Sequence, residues 1–268
     1  MKVLSLVTLL VGNLGATDPR QEGPGLAIDL ISESQSLVPG MPLTVGLHLH
    51  HFPGFHTYWK NPGQVGVATS IAWFLPEGFT ASTIAWPFPE NTFMGTYPCH
   101  GYDRHVTLLT TIYPPDSLTS KTVTISAKTM WMCCAKGCFP GFQTFDLTLP
   151  VSDAPAPDAA ASTLIQKARK ELPEANHDLK ATLVSKMDSD EIKIRFVGEK
   201  KLSPEGAYFF SSDGQISSDQ KQIFIPAEDG SLLLTIARSE FSPKGSPSLP
   251  GVIRMDGRHL IIQAEPTR

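Results

Sequence analysis

Apolar and polar residues alternate along short stretches in the first half of the chain, which is the pattern of strands buried on one face. Between residues 43 and 50, for example, Leu43, Val45, Leu47 and Leu49 occupy every second position. Turn-forming Pro, Gly, Asn and Asp residues separate the stretches. The pattern predicts strands at residues 25–31, 43–50, 70–74, 106–112, 123–130 and 142–149. Many short strands of this spacing are typical of a β-sandwich, which we expect over residues 26–151.

A change of composition follows this region. Residues 152–161 (SDAPAPDAAA) have no periodicity and indicate a linker, and residues 162–172 have a helical pattern that stops before Pro173. We therefore assign residues 152–175 to a linker with a short helix. Alternation then returns, which predicts a second, smaller β-sandwich domain over residues 176–268. Its expected strands are residues 181–185, 191–197, 207–211, 222–225, 231–237 and 259–263.

The composition excludes several classes of function. A formal net charge of −4 leaves no basic surface for nucleic acid, so we expect no nucleic-acid partner. After the first residues, no segment has the roughly 20 consecutive apolar residues that span a bilayer, so we expect no stable membrane insertion. Motifs for serine hydrolases or for phosphate binding are also missing from the sequence.

The first 16 residues have the features of a signal peptide. Lys2 supplies a positive charge, residues 3–12 are apolar, and Ala16 is a small residue suited to cleavage. This pattern predicts export, and a periplasmic protein that is soluble after residues 1–16 are removed.

The four cysteines are distributed unevenly. Cys133, Cys134 and Cys138 lie within six residues of each other, whereas Cys99 lies further upstream. Cys134 and Cys138 form the natural pair across a hairpin-like turn, with Cys133 and Cys138 as the competing pair. A disulfide that closes so short a loop removes little entropy from the unfolded chain, so thiol–disulfide exchange explains it better than stability does. Lys136 lies between the cysteines and is a candidate for stabilising a thiolate.

Two other interpretations of the cysteines stay open. In the first interpretation, the disulfide is purely structural. In the second, soft ligands including Cys99, His100 and Cys133 bind zinc or copper(I), although adjacent cysteines fit a tetrahedral site poorly. We expect no cofactor and no metal. The histidines at positions 48, 50, 51 and 56 are expected to belong to a solvated strand edge rather than to a metal site.

Several motifs, taken in order, resemble the N-terminal periplasmic domain of DsbD-type and ScsB-type thiol:disulfide interchange proteins. The resemblance covers about residues 26–151. It rests on residues 54–63 (GFHTYWKNPG), 71–79 (IAWFLPEGF), 84–87 (IAWP) and 101–103 (GYD), then Trp131 and residues 138–140 (CFP).

The resemblance implies an immunoglobulin-like fold, so the expected fold class is all-β, with two immunoglobulin-like β-sandwich domains joined by the linker and helix. It implies that Cys138, followed by Phe139 and Pro140, is one redox cysteine, and that Cys134 is the other by the spacing of ScsB-like members. It also implies a cap loop at Phe93, Met94 and Gly95, in which Phe93 shields the disulfide.

Two cysteines depart from the family pattern. Cys133 is an additional thiol beside the expected pair, and Cys99 lies near the Gly-Tyr motif, where the family leads us to expect no cysteine. A second disulfide between Cys99 and Cys133 would account for both.

The function expected from the resemblance is to pass reducing equivalents through Cys134 and Cys138. The donor would be a separate transmembrane thiol reductase of the DsbD or CcdA type, and the acceptors would be oxidised periplasmic thioredoxin-like proteins. The alternatives are a non-catalytic, chaperone-like binding module with a structural disulfide, and a copper-binding protein, the latter because ScsB-like proteins are associated with copper tolerance.

Overall fold

The computed structural model describes residues 20–186 and 189–267. The expected signal peptide, residues 1–16, lies outside this range. The described residues form one helix and eighteen strands. In the first half these are β1 (Arg20–Gly23), β2 (Leu26–Ser32), β3 (Leu43–His51), β4 (Thr57–Gly63), β5 (Ser70–Phe74), β6 (Thr80–Ala81), β7 (Glu90–Met94), β8 (Tyr97–Tyr102), β9 (His105–Tyr113), β10 (Thr122–Cys134) and β11 (Cys138–Pro150). Then follow α1 (Ala159–Glu171), β12 (Lys180–Leu183), β13 (Glu191–Val197), β14 (Tyr208–Ser211), β15 (Ile223–Pro226), β16 (Leu232–Ala237), β17 (Leu249–Met255) and β18 (Arg258–Pro266).

The first half has the sandwich architecture that the alternation predicts. A five-stranded sheet has the order β1-β2-β3-β9-β6, and a three-stranded sheet has the order β11-β10-β5. Leu47 and Leu108 of the first sheet share one core with Ile125 and Trp131 of the second. Because successive side chains of a strand point to opposite faces, β10 buries nearly every second residue in this core.

A third small sheet was not predicted from the sequence. It has the order β4-β8-β7, and it carries Cys99 in β8. Strand β4 contains the residues KNPG, which indicate a turn when only the sequence is considered. A register shift between Tyr58 and Gly63 accommodates them in the strand.

The second half forms a sheet of seven strands in the order β14-β17-β18-β12-β13-β16-β15. Strands β12 and β18 pair in parallel, and the other neighbours are antiparallel. Strands β13, β16, β17 and β18 contribute to one buried cluster that contains Ile194, Phe196, Leu234, Ile253 and Leu260. The expected all-β sandwich class is confirmed, although the alternation did not predict strand β17.

Helix α1 begins three residues before the predicted helix, because Asp158 caps it. The Asp158 carboxylate accepts a hydrogen bond of 2.9 Å from the N–H of Ala161. Ile165 and Ala168 then pack in a buried cluster with Leu109 of β9. The preceding segment is also attached to the first sandwich, since the N–H of Gln35 donates to the carbonyl of Ala156 at 2.7 Å.

The two halves are in direct contact. Phe210 and Val252 of the second half belong to the core of the first. The Ser218 hydroxyl donates to the carbonyl of Pro98 at 3.1 Å and accepts from the N–H of Gln64 at 2.9 Å. These hydrogen bonds attach the second half to β8 and to the end of β4. Among the described residues, no helix has the length and apolar character needed to cross a membrane.

Candidate redox site

A disulfide joins the two strands of the β10–β11 hairpin beside its turn. Cys134 and Cys138 are directly opposed in the antiparallel register, and a turn of Ala135, Lys136 and Gly137 connects them. The competing pair of Cys133 and Cys138 is not formed, because Cys133 lies opposite Phe139 in this register. The predicted hairpin and its Cys134–Cys138 bridge are therefore both present in the structure.

The two disulfide-bonded cysteines have different environments. Cys134 is completely buried, whereas Cys138 is exposed at the start of β11. Phe139, which follows Cys138, is 40% exposed, and its ring lies 6.1 Å from that of Phe55. Lys136 is exposed in the turn, so its expected effect on a thiolate stays a prediction. A thiol approaching from solvent therefore meets Cys138 first.

On its buried side, Cys134 pairs with His56. The N–H of each residue donates to the carbonyl of the other at 2.9 Å, which makes a hydrogen-bonded antiparallel bridge. Side chains of directly opposed residues lie on the same face of such a pair. The sequence alone gave His56 no chemical role, although this residue belongs to the GFHTYWKNPG motif.

Cys99 lies in the same buried cluster as Cys134 and Tyr58. Its Sγ is 3.1 Å from the Thr92 hydroxyl and 3.9 Å from Nε2 of His56. Burial raises the pKa of the Cys99 thiol, and hydrogen bonds from Thr92 and the Met94 backbone partly offset this effect. Burial also lowers the pKa of His56, which favours a neutral imidazole. These contacts gave no signal in the sequence, because they depend on the sheet β4-β8-β7, which was not predicted.

The expected disulfide between Cys99 and Cys133 is absent, and both cysteines are free thiols. The reason is the alternation of β10: Cys133 points into the main sandwich core with Trp131, while Cys134 points towards the cluster of Cys99. Burial raises the pKa of Cys133 to about 12, so this thiol stays protonated. Cys99 and Cys133 are therefore two additional free thiols and do not form a second disulfide.

The metal-ligand candidates do not converge. Cys99 and Cys133 lie in different clusters, and the ring of His100 packs against Phe210 at 4.8 Å. Within residues 20–186 and 189–267, no group of three or more His, Cys, Asp or Glu side chains has a geometry suited to a metal ion.

The histidine-rich strand β3 is not the solvated edge that we expected. Strand β3 lies between β2 and β9, so His48 and His51 are buried. Nδ1 of His48 lies 2.8 Å from the Thr107 hydroxyl, and His51 is hydrogen-bonded to Thr57 and to the Arg104 carbonyl. Desolvation lowers the pKa of both imidazoles to about 4.

The expected cap residues form the tip of the β7–β8 hairpin. Phe93 and Met94 end β7, and Gly95 follows with a φ of 63°, a conformation that glycine adopts readily. Met94 packs against the cluster that contains Cys99 and Cys134, while Phe93 is 61% exposed. The structure thus places Met94 against this cluster, and the shielding role of Phe93 stays a prediction.

The comparisons with known proteins agree on this part of the chain. Residues 29–150 match the family described as "Thiol:disulfide interchange protein DsbD, N-terminal". The chain is also similar to the crystal structure of the N-terminal periplasmic domain of ScsB from Proteus mirabilis, with a TM-score of 0.63 and 16% identity. That alignment covers 92% of this chain and 98% of the ScsB domain, and at this identity it shows the fold alone.

A second solved structure, the N-terminal eight Ig domains of Down Syndrome Cell Adhesion Molecule isoform 1.30.30, aligns with a TM-score of 0.23 and 12% identity. It covers 90% of this chain and 24% of the other, and a score this low supports no argument. No curated protein matches the chain by sequence.

Proposed function

Since residues 29–150 belong to the DsbD N-terminal family, we propose that this chain is a periplasmic thiol:disulfide interchange protein that transfers reducing equivalents through Cys134 and Cys138. The observation that carries the proposal is the unequal exposure of the two disulfide-bonded cysteines at the hairpin end. Exposure of one sulfur permits attack by a partner, and burial of the other keeps it available for the second step.

The proposed reaction uses two exchanges and no cofactor. In the loading step, a donor thiolate attacks Sγ of Cys138, the Cys134–Cys138 bond breaks, and Cys134 leaves as a thiolate that takes up a proton. The second donor thiol then attacks the mixed disulfide, which leaves the donor oxidised and Cys138 reduced. In the delivery step, the Cys138 thiolate attacks the disulfide of an acceptor protein, and Cys134 resolves the mixed disulfide.

We propose a membrane thiol reductase of the DsbD or CcdA type as the donor, and thioredoxin-like periplasmic proteins as the acceptors. The family assignment supports this kind of donor. Exposed aromatic side chains near Cys138 support a docking role, since aromatic residues are enriched where proteins bind one another. Phe139 adjoins Cys138, and Phe142 of the same strand is 64% exposed.

A redox titration against glutathione tests this function. The purified protein is equilibrated at a series of potentials, its thiols are trapped by alkylation, and the modified peptides are located by mass spectrometry. We expect Cys134 and Cys138 to titrate together while the protein stays folded, at a potential above about −300 mV, the range of exchange-active rather than structural disulfides. A disulfide that is reduced only when the protein unfolds would overturn the proposal and favour a binding module with a structural disulfide.

A further inference from the structure

We propose that Cys99 is a third member of the redox site, which attacks Cys134 within the oxidised protein to form a Cys99–Cys134 disulfide and release Cys138 as a thiol. This inference rests on the proposed function, because it requires the Cys134–Cys138 disulfide to be exchangeable. It adds a function to a cysteine that departs from the pattern of the family motifs.

The first support is the direction in which the cysteines of β10 point. Cys134 belongs to the buried cluster of Cys99 and Tyr58, while its neighbour Cys133 belongs to the sandwich core. Cys99 is 1% exposed, so its sulfur is shielded from solvent and from partner proteins. The cluster that contains Cys99 therefore includes one of the two disulfide-bonded cysteines, the one that is buried from external thiols.

The second support is a proton acceptor. Nε2 of His56 lies 3.9 Å from Sγ of Cys99, and the backbone of His56 is hydrogen-bonded to Cys134. A thiol beside a neutral imidazole is the arrangement that activates nucleophilic cysteines. The imidazole of His56 is placed to accept the proton of the Cys99 thiol, and the Thr92 hydroxyl at 3.1 Å is placed to stabilise the thiolate.

The step balances without an external oxidant. The Cys99 thiol gives its proton to His56, and its sulfur attacks Sγ of Cys134. The Cys134–Cys138 bond breaks as the Cys99–Cys134 bond forms, and Cys138 leaves as a thiolate that is then protonated. The three reacting cysteines contain one disulfide and one thiol before and after the step, and Cys133 stays a free thiol throughout, so the protein as a whole stays equally oxidised.

The internal exchange changes the chemical group that is exposed at the protein surface. With the Cys134–Cys138 bond, the protein exposes a disulfide that a donor can reduce. With the Cys99–Cys134 bond, the disulfide is buried between β8 and β10, and the exposed group is the Cys138 thiol. An oxidised molecule would then be hidden from its donor.

The experiment removes Cys138 and determines which cysteine forms a disulfide with Cys134 on oxidation. The Cys138→Ser variant, with thiols at positions 99, 133 and 134, is treated with diamide, alkylated and mapped by peptide mass spectrometry without reduction. We expect two of the three thiols to disappear and a Cys99–Cys134 linkage to form. The matched controls are Cys138→Ser with Cys99→Ser, which should form no intramolecular disulfide, and Cys138→Ser with Cys133→Ser, which should still form it.

The wild-type protein supplies a second measurement that does not depend on the Cys138→Ser variant. In the fully oxidised protein, N-ethylmaleimide should slowly label Cys138, and Cys99→Ser should abolish this labelling while Cys133→Ser leaves it unchanged. His56→Gln should slow the labelling by several-fold, and an unchanged rate would overturn the role of the imidazole.

The outcomes separate the two proposals. Three free thiols in oxidised Cys138→Ser, or a linkage through Cys133, together with no labelling of Cys138 in the wild type, would overturn the internal exchange. If the Cys134–Cys138 disulfide then still titrates with glutathione, the proposed function stands without it. If that disulfide is inert to glutathione as well, the proposed function itself fails.

Discussion

The backbone of His56 exchanges two hydrogen bonds of 2.9 Å with the backbone of Cys134, which fixes the buried end of the disulfide against the residue that precedes β4. Cys138 lies instead at the exposed start of β11, next to the turn. Cys134 is thus buried and fixed by backbone hydrogen bonds, whereas Cys138 is exposed, so we expect their thiols to differ in reactivity.

The first prediction concerns the accessibility of the two thiols. In a background with Cys99→Ser and Cys133→Ser, adding Cys134→Ser leaves Cys138 as the single thiol, and adding Cys138→Ser leaves Cys134. We expect Cys138 to react with 5,5′-dithiobis(2-nitrobenzoate) on the order of tenfold faster or more, because thiol reactivity follows exposure and thiolate character. Absorbance of the released thionitrobenzoate measures both rates, and equal rates would contradict the assignment of Cys138 as the attacked sulfur.

The second prediction concerns the cap at the tip of the β7–β8 hairpin. Met94 packs against the cluster of Cys99 and Cys134, so Met94→Ala should open that cluster and raise the rate of disulfide reduction by dithiothreitol several-fold. Phe93→Ala is the matched variant, and it should change the rate less because Phe93 is 61% exposed. A larger effect of Phe93→Ala would instead support the shielding role that the family resemblance implies.

The third prediction concerns the close approach of β4 and β8 at Gly101. A Cβ at this position would lie 2.0 Å from the backbone carbonyl oxygen of Thr57, which has no freedom to move aside. Gly101→Ala should therefore lower the free energy of unfolding by about 2 kcal/mol or more.

Gly137 in the hairpin turn offers the control, since the nearest atom to its added Cβ would be 3.8 Å away, on the Phe139 ring. Gly137→Ala should stay within about 0.5 kcal/mol of the wild type in urea denaturation. Similar losses in both variants would show that the strand contact at Gly101 is less tight than the structure has it.

The fourth prediction concerns the contact between the halves of the chain. Ser218→Ala removes a donor to the Pro98 carbonyl and an acceptor for the Gln64 N–H, both in a partly buried place. Loss of these hydrogen bonds should destabilise the protein by about 1–2 kcal/mol in urea denaturation. Ser120→Ala, at an exposed position, should have no measurable effect. A neutral Ser218→Ala would mean that this contact does not contribute to the stability of the fold.

The fifth prediction concerns acid sensitivity. Burial lowers the pKa of His48, His51 and His100 from 6.5 to about 4. A histidine with a lowered folded-state pKa binds its proton more readily when unfolded, so its contribution to stability is complete above pH 6.5 and is lost as the pH falls towards 4. Because a tenfold change in proton affinity corresponds to about 1.4 kcal/mol, protonation of each of these histidines costs up to about 3 kcal/mol of stability.

Urea denaturation at pH 7.5 and pH 5 measures this effect. The free energy of unfolding should fall between the two values, and His48→Gln should make the fall smaller than in the wild type. His177→Gln, at an exposed position, should leave the fall unchanged. If the free energy of unfolding falls equally in His48→Gln and in the wild type, His48 does not contribute to the acid sensitivity.

The alternation of apolar and polar residues predicted many of the strands, since this alternation is a property of residues that are neighbours in the chain. The strands near residues 43–50, 123–130 and 142–149 are present with boundaries shifted or extended by a few residues, and the hairpin that joins Cys134 to Cys138 followed from two strands around a short turn. The motifs around Trp131 and Cys138 also led to the family that matches residues 29–150.

The sheet β4-β8-β7 escaped prediction because polar and turn-forming residues in β4 and β8 obscure its alternation. The contacts of Cys99 with Thr92 and His56 depend on this sheet, so they escaped prediction as well. The predicted pairing of Cys99 with Cys133 was wrong because Cys133 points into the sandwich core, while Cys134 points towards Cys99.

Neighbouring cysteines on one strand must face opposite ways because side chains of a strand alternate, and this much follows from the order of residues in the chain. Which of the two faces the core does not follow from it. That depends on the register of β10 against β5 and β11 and on the bridge to His56, which are contacts between segments distant in the chain. These long-range contacts, which exist only in the folded protein, place Cys134 in the cluster of Cys99 and enclose Cys133 in the sandwich core.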